Sequence, residues 1–542
     1  MLATGRTLSV SRILVALRCL PSVIAFLVVG CGGGGSSGSP PPQDFSLSVS
    51  PFTISMTVGT IGPAVAITVS GHNGFADSVN VAITGLPPGA TSSPAAPFTV
   101  SPFGSQQVLL FIPPTAQTGS LSIQFDATSG SHSHSATLTL TITPVSDTAV
   151  LQEVSGQVAA STIEIQGLSA GNFNPDYWQK NTLNWVPDVR VPMLAPQPGP
   201  FQNIYSPWPL EQVNGWRMFY GGWDGTATSN DRVYSVTTSD FLSFNDHQLV
   251  IDHGDFLHVN NVNVTQLPDG SMHMICTIAL TQTSNDKPAY FFSPDGVIWN
   301  GSPEPYSAQL SDVVSIPNDP LYAGYDYNGG NVLFRENGSW TLYYSVGIYG
   351  GIGKVYRATS VFPPVFQAQG VALATLHYAN DVKKFQVGGK NWYLMALYVE
   401  WATNISPPTL SYSLSNDGVT FEPEHALFGG AFPLDQYPIT PAFLTRGDQI
   451  LGVLYGADPN TTDFPDAQIF ARWLQKKVVI TDSSGVQYIT QSAYGPDRQW
   501  FPSPASGFLE GTMVVYAEDG ITPLGSSLAS LTAGKVYTLF LK

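Results

Sequence analysis

Short stretches of alternating apolar and polar residues run along the first part of the chain. Examples are residues 45–50, 66–70, 79–83 and 107–112. Alternation with a period of two predicts β-strands that are buried on one face. The run Gly-Leu-Pro-Pro-Gly at 85–89 interrupts these strands as a turn. Residues 44–146 are therefore predicted to form an antiparallel β-sandwich.

A segment of aromatic and apolar residues recurs five times between residues 175 and 480. Its copies begin at Trp216, Met272, Trp340, Trp392 and Ile450, 52 to 68 residues apart. Turn dipeptides precede most copies, for example Asn-Gly at 214–215, and such pairs favour tight hairpins because both positions tolerate positive φ. Three to four strands per repeat are typical of propeller blades. We therefore predict a five-bladed β-propeller over residues 175–480.

Hydrophobic content, net charge and cysteine count exclude several classes of protein. The 542 residues are 43% hydrophobic and 11% charged, which excludes a disordered chain. The net charge of −17 argues against nucleic acid as the main partner. Three cysteines cannot form a disulfide scaffold. Residues 481–542 contain a turn and two further strand patterns and predict a small C-terminal β unit, which completes an all-β chain.

The N-terminus has the layout of a secretory signal. Residues 1–30 contain three arginines, no acid and a short apolar run. The run ends in Leu-Val-Val-Gly-Cys at 27–31, which resembles the signal of bacterial lipoproteins. The resemblance implies cleavage before Cys31 and a lipid on that cysteine, with residues 31–43 as a Gly/Ser/Pro tether. The resemblance thus implies a protein anchored to the membrane of the bacterial cell envelope, at the outer membrane or the cell surface. The alternative is that Cys31 is a chance cysteine after an ordinary signal peptide.

The folded parts also resemble known families. Residues 44–146 look like the immunoglobulin-like modules of bacterial surface proteins. The repeat is similar to the five-bladed glycoside hydrolases of families 43 and 32 over about 300 residues, in its order of apolar strand, turn, aromatic strand and Ser-x-Asp-Gly turn (415–418). In that family, carboxylates on the innermost strands point into one funnel. Glycoside cleavage needs two of them, one to protonate the leaving oxygen and one to activate water or to attack.

The resemblance implies which residues enter the innermost strands. Asp381 stands directly before an apolar strand and is the first catalytic candidate; the alternative is a turn aspartate. Asp326, in a Tyr-rich loop, is a second catalytic candidate with the same alternative. In the first two blades, Ser206 and Asn261 stand where the family has acids. That departure leaves catalysis and binding without cleavage both open.

The neighbouring residues in the sequence indicate further candidate site residues. Glu400 ends an apolar strand beside an aromatic residue, where a raised pKa suits a general acid; the alternative is an ion pair at the rim. His258 enters the second blade near the axis, with a structural histidine as the alternative. The predicted substrate-binding residues are His258, Asn261, Trp223, Asp224, Tyr327 and Trp401.

The sequence therefore predicts a secreted, lipid-anchored glycoside hydrolase that acts on neutral oligosaccharide or plant polysaccharide. The alternative is a glycan-binding or adhesion lipoprotein that keeps the propeller without the acids. Aromatic side chains suit both functions, because their faces pack on the C–H groups of sugars. No cofactor is expected, although acidic and amide residues at the strand entrances suit a structural calcium ion in the channel.

Overall fold

β-Strands make up nearly all of the regular structure. The computed structural model describes residues 42–113, 116–143, 148–195, 202–223, 230–281, 285–319, 327, 329–346, 354–399, 409–459, 467–489 and 492–542. Helix within these ranges is confined to α1 (Pro175–Trp178) and a 3-10 turn at Leu310–Asp312. The predicted all-β fold class is confirmed.

The first unit is a sandwich of two sheets. Its strands are β1 (Asp44–Ser50), β2 (Thr53–Thr57), β3 (Val65–His72), β4 (Val79–Thr84), β5 (Thr91–Ser93), β6 (Phe98–Val100), β7 (Ser105–Phe111), β8 (Gly119–Ser129) and β9 (His132–Thr143). The sheets have the orders β1-β3-β7-β5 and β2-β9-β8-β4-β6. Alternate residues, such as Val65, Ile67 and Val69 of β3, are fully buried, so the period-two pattern gives the core between the sheets.

Three strands come next in the chain: β10 (Ala149–Gln157), β11 (Thr162–Gln166) and β12 (Trp185–Pro187). After them, five sheets follow one another between residues 202 and 474. Sheet 1 contains β13 (Gln202–Gln212), β14 (Gly215–Trp223), β15 (Arg232–Thr238) and β16 (Asn245–Asp252), and a short fifth strand, β22 (Tyr306–Ser307), pairs with β16. Sheet 2 contains β17 (His258–Gln266), β18 (Met272–Ala279) and β19 (Lys287–Ser293), and three two-residue strands follow it: β20 (Ile298–Trp299), β21 (Ser302–Pro303) and β22 (Tyr306–Ser307).

Sheets 3 to 5 repeat the antiparallel order. Sheet 3 contains β23 (Val332–Glu336), β24 (Ser339–Val346), β25 (Lys354–Ser360) and β26 (Gln367–Ala374). Sheet 4 contains β27 (Tyr378–Val387), β28 (Lys390–Tyr398), β29 (Thr409–Ser415) and β30 (His425–Gly429). Sheet 5 contains β31 (Tyr437–Arg446), β32 (Gln449–Asp458) and β33 (Gln468–Leu474), and β12 pairs with β33 as its outer strand.

The five recurring aromatic segments form the second strand of each of these sheets. These strands are buried on both faces because they pack against neighbouring sheets; β18, for example, is buried at every position. A strand enclosed on both sides reads as a continuous apolar run rather than an alternating one. This is why the aromatic segments stand out in the sequence.

A second sandwich is built from two distant parts of the chain. Its later strands are β34 (Lys477–Thr481), β35 (Gln487–Ile489), β36 (Ser492–Ala493), β37 (Gln499–Pro502), β38 (Phe508–Tyr516), β39 (Pro523–Thr532) and β40 (Lys535–Leu541). The sheet orders are β10-β40-β11-β37-β36 and β35-β34-β38-β39. Strand β40 pairs antiparallel with β10 and parallel with β11, so residues from before the five sheets complete the C-terminal unit.

Two Ser-x-Asp-Gly turns close sheets 2 and 4 at the end of β19 and β29. In sheet 4, Asp417 Oδ1 accepts hydrogen bonds from the backbone N–H groups of Val419 (2.8 Å) and Thr420 (2.9 Å), and these bonds hold the pKa of Asp417 below its ordinary value. Asp295 makes the same bonds in sheet 2. These aspartates therefore bind backbone groups within a turn.

Replacing Asp417 with alanine should lower the free energy of unfolding by about 1 kcal/mol at neutral pH, because two backbone donors lose their acceptor. The pKa of Asp417 is depressed in the folded state, so its contribution is present above the ordinary aspartate pKa and is lost as the pH falls through the lower folded value. Chemical denaturation at pH 7 and pH 3 measures this difference. Asn416→Ala on the same turn is the control, and an equal loss of stability in Asp417→Ala at both pH values would contradict the account.

Candidate functional site

The regular strand pairing of the innermost strands breaks at equivalent places in the five sheets. β-Bulges or register shifts fall at these points in β13, β17, β27 and β31, while β23 begins directly after the corresponding residue. The residues at these points are Ser206, Asn261, Asn331, Asn380 and Thr440, which we call the bulge ring. All five are polar, uncharged and buried. Four of them, all except Asn380, have positive φ, where asparagine is tolerated better than most residues.

Hydrogen bonds at the bulge ring join each sheet to the next. Between sheets 5 and 1, Ser206 N donates to Thr440 Oγ1 at 3.0 Å. The other four junctions are Asn260 Nδ2 to Tyr205 OH (2.9 Å), Asn331 Nδ2 to Thr277 Oγ1 (2.8 Å), Gly330 N to Ala379 O (2.9 Å) and Asn380 Nδ2 to Pro441 O (2.9 Å). The innermost strands therefore form a closed ring, which is the arrangement of a β-propeller.

Asp231 lies beside this ring, between sheets 1 and 2, directly before β15. Its Oδ2 accepts a hydrogen bond from Asn260 Nδ2 at 3.4 Å, and the Tyr205 hydroxyl also bonds to its carboxylate. The residue is 5% exposed, and its Oδ1 has no hydrogen-bond partner within the described part of the chain. Burial raises the pKa of Asp231, and the charge of His258 and the bonds from Tyr205 and Asn260 offset only part of that rise.

Asp286 stands at the equivalent place in sheet 2, directly before β19. Its Oδ1 lies 3.6 Å from His258 Nε2, and the charges of both Asp286 and Asp231 act on His258. Burial alone would lower the pKa of His258, but the carboxylates of Asp286 and Asp231 outweigh it and the pKa is raised. We call Tyr205, Asp231, His258, Asn260 and Asp286 the Asp231 cluster.

The structure places Asp381 one residue beyond the bulge ring in sheet 4, with no exposed surface. Its Oδ2 accepts a hydrogen bond from Phe443 N at 2.8 Å, and its Oδ1 lies 3.2 Å from Lys383 Nζ. Lys383 Nζ lies 4.2 Å from the centre of the Trp208 ring of sheet 1. Burial raises the pKa of Asp381, and Lys383 and the backbone bonds oppose that rise. These contacts join three sheets; the catalytic role of Asp381 stays a prediction.

Four of the predicted substrate-binding residues have described positions. His258 belongs to the Asp231 cluster, and Asn261 to the bulge ring. The Tyr327 ring is fully buried between Tyr344 and Lys287, and its hydroxyl donates to Asp319 at 2.7 Å, while its backbone N–H donates to Asp286 O at 2.9 Å. Trp223 is half-buried at the end of β14, opposite Gln202 at the start of β13. Asp224, Asp326, Glu400, Trp401 and Cys31 lie outside the described residues.

Asp231 and Asp286 were not among the residues predicted from the sequence, although the chain carries a signal for them. The sequence Thr-Ser-Asn-Asp is followed by arginine at 228–232 and by lysine at 283–287. Both copies stand directly before the third strand of a sheet, at Arg232 and Lys287. Aligning the repeats on their third strands, rather than on their first, would have placed these two aspartates side by side.

The described residues contain neither a metal-binding group of side chains nor a membrane-spanning helix. Within those ranges, no three His, Cys, Asp or Glu side chains form a group able to hold a metal ion, and the channel calcium stays a prediction. The same ranges hold no helix that is long and apolar enough to cross a membrane.

No protein-family model and no curated protein matches the chain. Solved structures similar to it include a complex of BT0996 with RGII, at 11% identity and a TM-score of 0.42 over 56% of this protein and 95% of that one. A glycosyl hydrolase from Bacteroides ovatus has 10% identity and a TM-score of 0.40 over 61% and 99%. An α-L-arabinofuranosidase from Lactobacillus brevis has 9% identity and a TM-score of 0.37 over 57% and 96%. These similarities are too distant to bear on the chemistry of the site.

Proposed function

We propose that this protein is a glycoside hydrolase whose general acid is Asp231. The observation that carries the proposal is the buried carboxyl group of Asp231, with a raised pKa and one oxygen left without a partner among the described residues. A general acid must hold its proton near neutral pH and present it to the leaving oxygen. Burial supplies the first property, and the bonds from Tyr205 and Asn260 fix the orientation needed for the second.

Asp286 is the second carboxylate in this proposal. Its Oδ1 lies 3.6 Å from His258 Nε2, and the charge of His258 also acts on Asp231. In the hydrolysis, Asp231 gives its proton to the glycosidic oxygen as the carbon–oxygen bond breaks, and Asp286 takes a proton from the attacking water. Asp326, Asp381 and Glu400 remain sequence-based candidates for the same role, and exchanging each for its amide tests them in parallel.

One observation favours a second function, glycan binding without cleavage. The bulge ring carries Ser206, Asn261, Asn331, Asn380 and Thr440, and none of these side chains is acidic. Hydroxyl and amide groups hydrogen-bond to sugar hydroxyls without supplying acid or base. A protein that recognises a glycan at this ring therefore needs no carboxylate there.

Release of new reducing ends separates the two functions. The mature, detergent-solubilised protein is incubated with neutral polysaccharides (arabinan, xylan, galactomannan) and with aryl glycosides, while affinity gel electrophoresis records binding. Hydrolysis by the wild-type protein, lost in Asp231→Asn, supports the enzyme. Retarded migration on a polysaccharide that is never cleaved supports the binding protein.

We also propose that the chain is anchored to the bacterial envelope by a lipid on Cys31. The support is the lipoprotein-like run at 27–31 and the Gly/Ser/Pro tether after it. Replacing Cys31 with alanine removes the thiol that accepts the lipid, so the protein should move from the detergent phase to the aqueous phase on Triton X-114 partitioning. Ser36→Ala in the tether is the matched control, and unchanged partitioning of Cys31→Ala would contradict the anchor.

A further inference from the structure

A shallow, open pocket of about 460 Å³ lies at the end of sheet 4 that is away from the bulge ring. Lys390, Asn391, Trp392 and Asn416 line it, and we call it the Trp392 pocket. Strand β27 passes the bulge ring at Asn380, and Trp392 pairs with Phe385, five residues later, so the pocket begins about 16 Å from the ring along the strand. It is therefore separate from the Asp231 cluster. Its volume falls within the range of small-molecule sites.

Trp392 gives the pocket an apolar wall. The side chain is half-buried and packs on the core cluster that sheets 4 and 5 share, and its strand register with Phe385 fixes its place. The rest of the indole is open to solvent. Sugars bind to such surfaces because the C–H groups on one face of a pyranose pack against an aromatic face.

Asn391, Asn416 and Lys390 surround the indole with hydrogen-bonding groups. Amide side chains both donate and accept, which suits sugar hydroxyls, and an ammonium group adds donors. The turn that carries Asn416 is held rigid: Asp417 accepts two backbone bonds within it, and Tyr343 OH donates to Gly418 O at 2.6 Å. A fixed polar group loses little entropy when a ligand binds.

Sheet 2 shows that the turn itself does not require these side chains. It has the same Ser-x-Asp-Gly turn, with Ser293 opposite Met272 just as Ser415 is opposite Tyr393. By that register, Pro294 stands at the place of Asn416, and Ser271 at the place of Trp392. Both turns keep the aspartate that accepts the backbone hydrogen bonds. Trp392 and Asn416 are therefore found in sheet 4 without being needed for the turn.

We propose that the Trp392 pocket is a second carbohydrate-binding site, which holds a neutral sugar unit of a polysaccharide at a distance from the Asp231 cluster. The choice of ligand class rests on the proposed function, whereas the site rests on its own residues. Holding a polymer at a second point raises its effective concentration at the first. The pocket therefore serves to keep the glycan on the protein between encounters with the catalytic residues.

Fluorine NMR of the protein labelled with 5-fluorotryptophan tests the pocket directly. Trp392→Phe identifies the Trp392 resonance while keeping an aromatic ring in the core. The probes are xylohexaose, arabinohexaose, mannohexaose and cellohexaose. We expect at least one of them to shift this resonance saturably, and Asn416→Ala to raise that Kd about tenfold through loss of a hydrogen bond. Val419→Ala, on the same turn but outside the pocket, should leave the Kd unchanged.

Asp231→Asn separates this inference from the proposed function. The variant should lose hydrolysis and keep the saturable shift of the Trp392 resonance with the same Kd. A saturable shift in a protein that cleaves no glycan would overturn the proposed function alone. Failure of all four oligosaccharides to shift the resonance, or a Kd unaffected by Asn416→Ala, would overturn the second site and leave the proposed function standing.

Discussion

Replacing Asp231 with asparagine should lower kcat/KM for a natural glycan on the order of 10²–10⁴-fold, the contribution expected of a positioned general acid. Asparagine keeps the shape and accepts the bonds from Tyr205 and Asn260, but it has no proton to give. The loss should therefore depend on the leaving group. An aryl glycoside with 2,4-dinitrophenolate as its leaving group departs without protonation, so its rate should fall far less.

Asp252→Asn is the matched control, because Asp252 pairs with Arg232 on the exposed side of the same sheet. It should keep full activity on both substrates. Stability provides a second readout. The folded state holds the Asp231 proton more tightly than the unfolded chain does, so the wild type should lose stability as the pH rises from about 4 towards the raised pKa. Asp231→Asn should lack that component. Equal losses on both substrates would contradict an acid role for Asp231.

Replacing Asp381 with asparagine should lower the free energy of unfolding by about 3 kcal/mol. The Lys383 ammonium group, held 4.2 Å from the centre of the Trp208 ring, would lose its only described carboxylate partner in a largely buried place. Denaturant unfolding at pH 7 measures the loss. The Asn side chain still accepts the bond from Phe443 N, so the effect reports the charge.

The double variant Asp381→Asn, Lys383→Met checks the cause. Removing both charges from a buried pair costs less than the sum of the single changes, and the coupling should exceed about 1 kcal/mol. Additive losses would show that the pair does not stabilise the ring. A variant Asp381→Asn with unchanged stability and no turnover would instead support the catalytic role predicted from the sequence.

The strands of this fold were predictable because their burial follows from short-range sequence. In the first sandwich, alternation at Val65, Ile67 and Val69 marks strands buried on one face. In the five sheets, aromatic runs such as the one from Trp340 mark strands enclosed on both faces. Asn-Gly and Asp-Gly pairs mark the turns between first and second strands, since they adopt positive φ easily. Each of these patterns lies within the same few residues that form the strand or turn.

The C-terminal sandwich was not predictable in the same way. Strand β40 pairs with β10 and β11, which lie more than 350 residues earlier in the chain. None of these three strands has a sequence pattern that predicts which strand it pairs with. Likewise, the carboxylate of Asp381 meets the backbone N–H of Phe443 only because sheets 4 and 5 pack side by side.

The acids of the proposed site stand on other strands than those on which the sequence predicted them. At the entrances of the innermost strands, the first two sheets carry Ser206 and Asn261 in place of acids. The structure brings acids to the same place from the third strands, as Asp231 and Asp286. Chain direction explains this result: in an antiparallel sheet the first and third strands begin at the same end.

A crystal structure of the Asp231→Asn protein with a bound neutral oligosaccharide would show whether Asp231 is placed to act as the general acid. We expect a sugar ring beside the bulge ring, with one glycosidic oxygen about 2.6–3.2 Å from the side chain at position 231 and the anomeric carbon facing Asp286. A sugar bound at the bulge ring with no glycosidic oxygen within reach of position 231 would contradict that role.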